Sequence, residues 1–263
     1  MPGVRRVRRA IVEEFKSLLP SSVKTFVKKA IRAGGRWSSG SAYERHARSM
    51  GPEESIGDGD FDLIGRIELR LLQKEGLRPS DTVVDFGCGT GRLAVHLVPF
   101  LTQGTYFGID IAPTMLKHAR RRVGEASNCR WLLQKGDRID LPDASADMMC
   151  AYSVFTHLEL EDCYRYLVEA ARVVRPDGVF LFSCLPLSLA VAREIFLRSA
   201  HSTMTQRRWQ VRNVVTTEES METVARLAGW KPTRWYRGDQ PDVDLPGVEA
   251  VQSLGQSACV LRR

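Results

Sequence analysis

The sequence predicts an α/β fold with a seven-stranded, mostly parallel sheet, helices on both of its faces and a helical arm at the N-terminus. Two observations carry the prediction. Between residues 82 and 186, short apolar runs alternate with amphipathic helical stretches, the pattern of right-handed βαβ crossovers. The first of those runs also enters a glycine-rich turn directly, at Val83-Val84-Asp85-Phe86-Gly87-Cys88-Gly89-Thr90-Gly91-Arg92.

The elements follow in order. An amphipathic helix is expected over Phe61–Glu75, with Ile64, Ile67, Leu71 and Leu72 on one face. Strands are expected at Thr82–Phe86, Tyr106–Asp110, Cys129–Gln134, Ala146–Tyr152 and Gly178–Cys184. Helices are expected at Arg92–Phe100, at Pro113–Val123, where Pro113 suits a first turn, and at Leu160–Val174. Thr216 and Glu219 have capping-box spacing and open a helix to Ala228. Late strands follow at Lys231–Tyr236 and Ser257–Leu261. The Arg-rich, helix-patterned stretch at about 186–215 interrupts the alternation and reads as an insertion near the mouth of a site.

With 263 residues, 43% of them hydrophobic, the chain has enough apolar surface for a sizeable core. No uninterrupted apolar run is long enough to span a membrane. The basic N-terminus lacks the apolar core and cleavage site of a secretory signal. The six cysteines stand singly, without zinc-type spacing, so no metal site is expected and the cytoplasm is the expected compartment.

Charge divides the chain. Residues 1–48 hold 12 Lys and Arg against Glu13, Glu14 and Glu44, a balance of +9; the whole chain carries +7, so residues 49–263 carry −2. The arm reads as basic amphipathic helices over Val4–Arg36, with Ile11, Phe15, Leu18, Val23, Phe26 and Ile31 among the apolar positions, followed by a Gly/Ser linker. Such an arm either packs on its own protein or lies on an anionic membrane surface. The domain organisation is therefore an arm over 1–48 and an α/β domain over 49–263. The slightly acidic body argues against a nucleic-acid substrate.

The glycine-rich turn is where chemistry is expected. Ligands of open parallel sheets bind beyond the carboxyl ends of the strands, and small residues allow the backbone to approach them. A dinucleotide fingerprint would require glycine where Arg92 stands; Gly87, Gly89 and Gly91 give GxGxG instead. Asp110 closes the second strand, where a carboxylate can accept both hydroxyls of a ribose. Asp137 follows the third strand and could accept from an adenine amino group. Read from the residues alone, Asp85 capping the turn and Asp110 capping the helix near Pro113 are the alternative roles.

Taken together, VVDFGCGTGR, the GID ending in Asp110, the Gly136-Asp137 pair, SVFTHL and ARVVRPDGVFLFS closely resemble the class I S-adenosylmethionine-dependent methyltransferases. The resemblance spans about residues 60–186 and extends loosely to the C-terminus. It implies a Rossmann-like sheet and S-adenosylmethionine as cofactor. The turn at Gly87, Gly89 and Gly91 would hold the cofactor's methionine end, with Asp85 ordering it. Asp110 would bind the ribose, Ile111 would flank the adenine, and Asp137 would receive the adenine amino group with Arg138 beside it. Ser153 would lie near the amino or sulfonium end, and Tyr43 would close the pocket.

Methyl transfer needs chiefly alignment of the acceptor. A hydroxyl or amine acceptor also loses a proton, and His157, after the fourth strand, is the expected general base; packing against the next helix is the other reading of that residue. His201 is a second candidate. Glu159, Glu161 and Asp162 are expected to open the following helix. The expected acceptor is a small molecule, a sugar or a lipid-linked glycan, methylated on oxygen, with peripheral membrane contact through the arm. An RNA methyltransferase, an NAD-dependent oxidoreductase and a non-catalytic cofactor-binding protein are the alternatives.

Overall fold

A computed structural model describes residues 44, 45, 47, 48, 60–201 and 213–263. The expected arm helices, the linker and Tyr43 lie outside the described residues. The described residues belong to one compact unit, which starts at Ser39.

Seven strands form one sheet in the order β3-β2-β1-β4-β5-β7-β6. They are β1 Thr82–Phe86, β2 Thr105–Asp110, β3 Cys129–Leu133, β4 Ala146–Ala151, β5 Val174–Cys184, β6 Lys231–Tyr236 and β7 Ser257–Arg262. The first five run parallel; β7 is antiparallel to both β5 and β6. Among the described residues the α-helices are α1 Phe61–Lys74, α2 Ala94–Phe100, α3 Pro113–Val123, α4 Leu160–Val173, α5 Ala190–His201 and α6 Glu218–Leu227.

Strand alternation sends neighbouring side chains to opposite faces, and each face has its own core. Val83, Met148 and Leu181 pack with Ile67 and Leu71 of α1 and Leu97 of α2. Val84, Met149, Phe180 and Phe182 pack with Leu167 of α4 and Met221 and Ala225 of α6. Burial on both faces explains why the central strands read as continuous apolar runs. All six cysteines are buried free thiols, five within these layers and Cys88 in the turn after β1.

Two expectations are corrected. The N-cap of α6 is Thr217, whose Oγ1 accepts the Ser220 N–H at 3.1 Å. Thr216 instead forms a parallel bridge to Pro186, donating its N–H to Leu185 O. The helix after the glycine turn begins at Ala94, and Arg92 precedes it, drawn to Glu68 of α1.

Candidate functional site

The carboxyl ends of the parallel strands open into a cavity of about 600 Å³. Its lining includes Asp85, Gly87, Gly89, Asp110, Ile111, Ser153 and His157, so residues 72 positions apart in sequence converge on one space. That volume is in the usual range for small-molecule sites.

The turn after β1 is built by positive backbone angles. Gly87, Gly89 and Gly91 have φ of 78°, 54° and 86°, a region in which other residues are strained. The N–H groups of Gly87 and Cys88 both donate to Ile109 O, at 2.7 and 3.0 Å, which ties the turn to β2. Gly91 faces away from the cavity: a Cβ there would meet the Ala119 backbone of α3 at 3.2 Å. Its role is close packing of turn against helix.

Asp110 links the turn to α3. Its Oδ2 accepts the Gly89 N–H at 2.9 Å and its Oδ1 accepts the Ala112 N–H at 2.8 Å. Each oxygen has a second lone pair, so capping does not exhaust the carboxylate. Burial pushes its pKa up to about 6, against the lowering by those backbone donors.

Asp85 sits deeper. It accepts the Tyr106 hydroxyl at 2.7 Å and the Cys150 thiol at 3.8 Å, partners on β2 and β4 rather than in the turn it was expected to order. Burial raises its pKa to about 7, only partly offset by the Tyr106 bond. Beside it, Arg92 donates to Glu68 Oε1 at 2.5 Å, and Tyr152 donates to the Glu68 carbonyl at 3.0 Å. Burial works against the Arg92 charge, yet Glu68 holds it above its ordinary pKa. Arg92 Nε is buried with no protein partner.

Asp137 and Arg138 are exposed and are not among the residues lining the cavity. Gln134, at the end of β3, lines it instead, and its amide donates to Gly136 O and Arg138 O at 2.9 and 3.1 Å. The loop carrying Asp137 is thereby folded back on Gln134. His201 ends α5 away from the lining, its Nδ1 donating to Leu197 O at 2.7 Å. Glu159 is the N-cap residue of α4, with Glu161 and Asp162 in its first turn. Among the described residues no cluster of His, Cys, Asp or Glu could hold a metal ion.

On the β4–β5–β7 side the cavity is walled by Leu158, Leu185, Val191, Ile195, Leu254 and Gln256. Sequence reasoning missed Glu68, Gln134 and Gln256, and used Arg92 only to reject a dinucleotide fingerprint. Glu68, Gln134 and Gln256 come from α1, the position just after β3 and the segment before β7, and only the completed sheet brings them together.

The two halves of the cavity differ in chemistry. Carboxylates, amides and a guanidinium surround the half near β1–β3, whereas the other half is mostly apolar. A nucleoside joined to an amino acid needs a carboxylate for its diol, anions for its ammonium and a cation for its carboxylate. Asp110, Asp85, Glu68 and Arg92, groups of these kinds, all line the cavity.

Comparison with known proteins agrees. The methyltransferase-domain family matches residues 83–178. A malonyl-[acyl-carrier protein] O-methyltransferase of Geobacter sulfurreducens is 26% identical over 76% of this chain and 77% of its own length. A demethylmenaquinone methyltransferase of Tropheryma whipplei is 36% identical over 39% of this chain and 41% of its own. Magnesium protoporphyrin IX methyltransferase of Synechocystis PCC 6803, solved with S-adenosylhomocysteine, superposes with a TM-score of 0.57 at 16% identity, covering 91% of this chain and 100% of that one. A methyltransferase of Aquifex aeolicus gives 0.54 at 19% identity, covering 78% and 98%. At these identities the structural likenesses establish the fold, and the family match adds the chemistry. Over residues 83–178 the chain carries a methyltransferase domain of the class I S-adenosylmethionine-dependent type, and S-adenosylmethionine is its cofactor.

Proposed function

We propose that this methyltransferase acts on an oxygen of a small acceptor, such as a hydroxylated small molecule, a sugar or a lipid-linked glycan. The observation that carries the reading is His157. It lines the same cavity as Asp110, together with Ser153 and the apolar Leu158 and Leu185.

The cofactor, when bound, supplies an electrophilic methyl group. The protein's own residues do the remainder. Asp110 accepts from the ribose hydroxyls while keeping the Gly89 turn in place. Asp85 and Glu68 face the ammonium, and Arg92 faces the carboxylate of the methionine end. Ile111 flanks the base, near Gln134. Ser153 stands at the end of β4, between strands that hold the cofactor and strands that wall the acceptor. The apolar walls exclude water and fix the acceptor's approach, which is the main source of acceleration in a displacement of this kind. His157 takes the proton that an acceptor hydroxyl loses.

The malonyl-[acyl-carrier protein] relative is named for O-methylation, which supports oxygen as the target. The basic arm is proposed to provide peripheral membrane contact in a cytoplasmic protein, and nucleic acid is not proposed as an acceptor. Removing residues 1–36 and measuring sedimentation with anionic vesicles tests the arm: unchanged binding removes that proposal.

The acceptor class is tested by incubating the full chain with S-adenosylmethionine and a panel of hydroxyl, carboxyl, amine and oligonucleotide acceptors, followed by mass spectrometry. Methylated hydroxyl or carboxyl products support the reading. Methylation confined to amines or oligonucleotides overturns it.

A further inference from the structure

The insertion helix α5 is poorly covered. Of its 12 residues only Ala192 is buried. Val191, Phe196 and Leu197 are 43%, 49% and 56% exposed, and Leu187 just before the helix is 37% exposed. Exposed apolar side chains grouped on one short segment usually mark a binding surface.

The face of α5 that packs on the body is apolar from its first turn. Ala192 joins Leu185 and Leu189 in a small core, with Ile195 packed against it. One turn separates positions i and i+4, so Phe196 continues the Ala192 stripe, but as an exposed residue. The neighbouring stripe is Val191 and Ile195, and both line the catalytic cavity. Val191 therefore belongs at once to the cavity wall and to the exposed apolar surface. An apolar path leads from the acceptor side of the cavity, past Val191 and Ile195, onto the outer part of α5.

We infer that the acceptor is an amphiphile: a polar head bearing the oxygen to be methylated, with a linear apolar chain that leaves the cavity along Val191, Ile195 and Phe196. This rests on the acceptor side proposed above and specifies its substrate class. The continuity of the two surfaces selects the chain as occupant. A ligand without a chain would fill the cavity and leave the apolar surface of α5 uncovered. From Val191 to Leu197 the helix advances roughly 9 Å, at 1.5 Å per residue, enough to follow several methylenes of an extended chain.

The test needs no identified acceptor. The full chain, saturated with S-adenosylhomocysteine, is titrated with octyl, decyl and dodecyl maltosides below their micelle concentrations, and binding is followed by calorimetry. The expected affinity rises by up to about fourfold for each added methylene, the value for complete burial of that group. Phe196→Asp, a surface change, and Ile195→Asp, at the wall, should each cut the dependence on chain length by at least about half. The affinity of Phe196→Asp for S-adenosylhomocysteine should not move. Equal affinity for all three maltosides, or a chain-length dependence untouched by both variants, overturns the inference. So does self-association of the wild type that Phe196→Asp abolishes, which would assign the surface to a second copy of the chain. Failure of the wild type to bind S-adenosylhomocysteine would instead strike the cofactor site beneath both proposals.

Discussion

Gln256 donates from Nε2 to the hydroxyl oxygen of Ser153 at 3.0 Å, joining the segment before β7 to the end of β4. Ser183 of β5 closes the ring: its hydroxyl accepts the Ser153 N–H at 2.7 Å and donates to Gln256 Oε1 at 2.7 Å. Ser153 has a φ of 57°, in the left-handed region. Such conformations persist in non-glycine residues where their surroundings fix them, and they gather at functional sites. Ser153→Gly keeps this backbone without strain and removes the hydroxyl. The melting temperature should stay within about 2 °C, while S-adenosylhomocysteine affinity falls about three- to tenfold, the scale of one lost hydrogen bond. Thermal melts and calorimetry on the same sample separate the two effects; unchanged affinity would reduce Ser153 to a structural role.

Gly87 tolerates no side chain. Its φ is 78°, and a Cβ would stand 2.2 Å from Val154 Cγ2. Gly87→Ala should cost about 1–3 kcal/mol, or about 2–4 °C of melting temperature per kcal/mol in a domain of this size. Adding Val154→Ala should recover part of the loss by removing the clash and leave the part due to φ. Full recovery in the double variant would refute the strain.

Asp85 makes stability depend on pH. Burial raises its pKa from 3.8 to about 7, so the folded state holds a proton that the unfolded state has released. Its contribution to stability is greatest below about pH 4, declines as pH rises through that window and is lost above about pH 7. Asp85→Asn stays neutral throughout. The variant should gain stability relative to wild type at pH 8, by several degrees in a thermal melt, and the gain should vanish by pH 4. A gain independent of pH would mean that Asp85 does not titrate in this window.

His157, which lines the cavity, is the proposed general base. Once the acceptor screen identifies a substrate, His157→Gln should leave S-adenosylmethionine affinity unchanged and lower kcat by about 100-fold or more, the scale of general base catalysis. The wild-type dependence of kcat on pH should flatten in the variant. A full-rate His157→Gln enzyme would leave the histidine with packing alone.

The sheet is legible in the sequence where local signals agree. Strand β1 ends in its glycine turn, Pro113 opens α3, and Lys231–Tyr236 forms β6 with the expected bounds. Strand β5 begins four residues before Gly178, because the segment from Val174 already pairs with Ala146. The cap of α6 falls one residue late because Thr216 and Thr217 carry the same hydroxyl, and only pairing with Pro186 tells them apart. Asp85, Gly87, Gly89 and Asp110 line the cavity and are legible because they lie on one strand–turn–strand unit, whereas Gly91 packs against α3. Glu68, Gln134 and Gln256 carry no local signal. Asp137 matches the motif spacing, yet Gln134 takes the position at the wall, since its amide reaches back to hold the loop.

The central claim is a cofactor site organised by Asp110. Calorimetry with S-adenosylmethionine and S-adenosylhomocysteine, with NAD as control, tests it most directly on the wild type and Asp110→Ala. The wild type should bind both sulfur compounds and not NAD. The variant should lose at least about 100-fold in affinity, since it forfeits the charged acceptors for the ribose, worth about 1.5–3 kcal/mol apiece, together with the tether to Gly89. Binding of NAD in preference to the sulfur compounds, or full affinity in Asp110→Ala, would contradict the account.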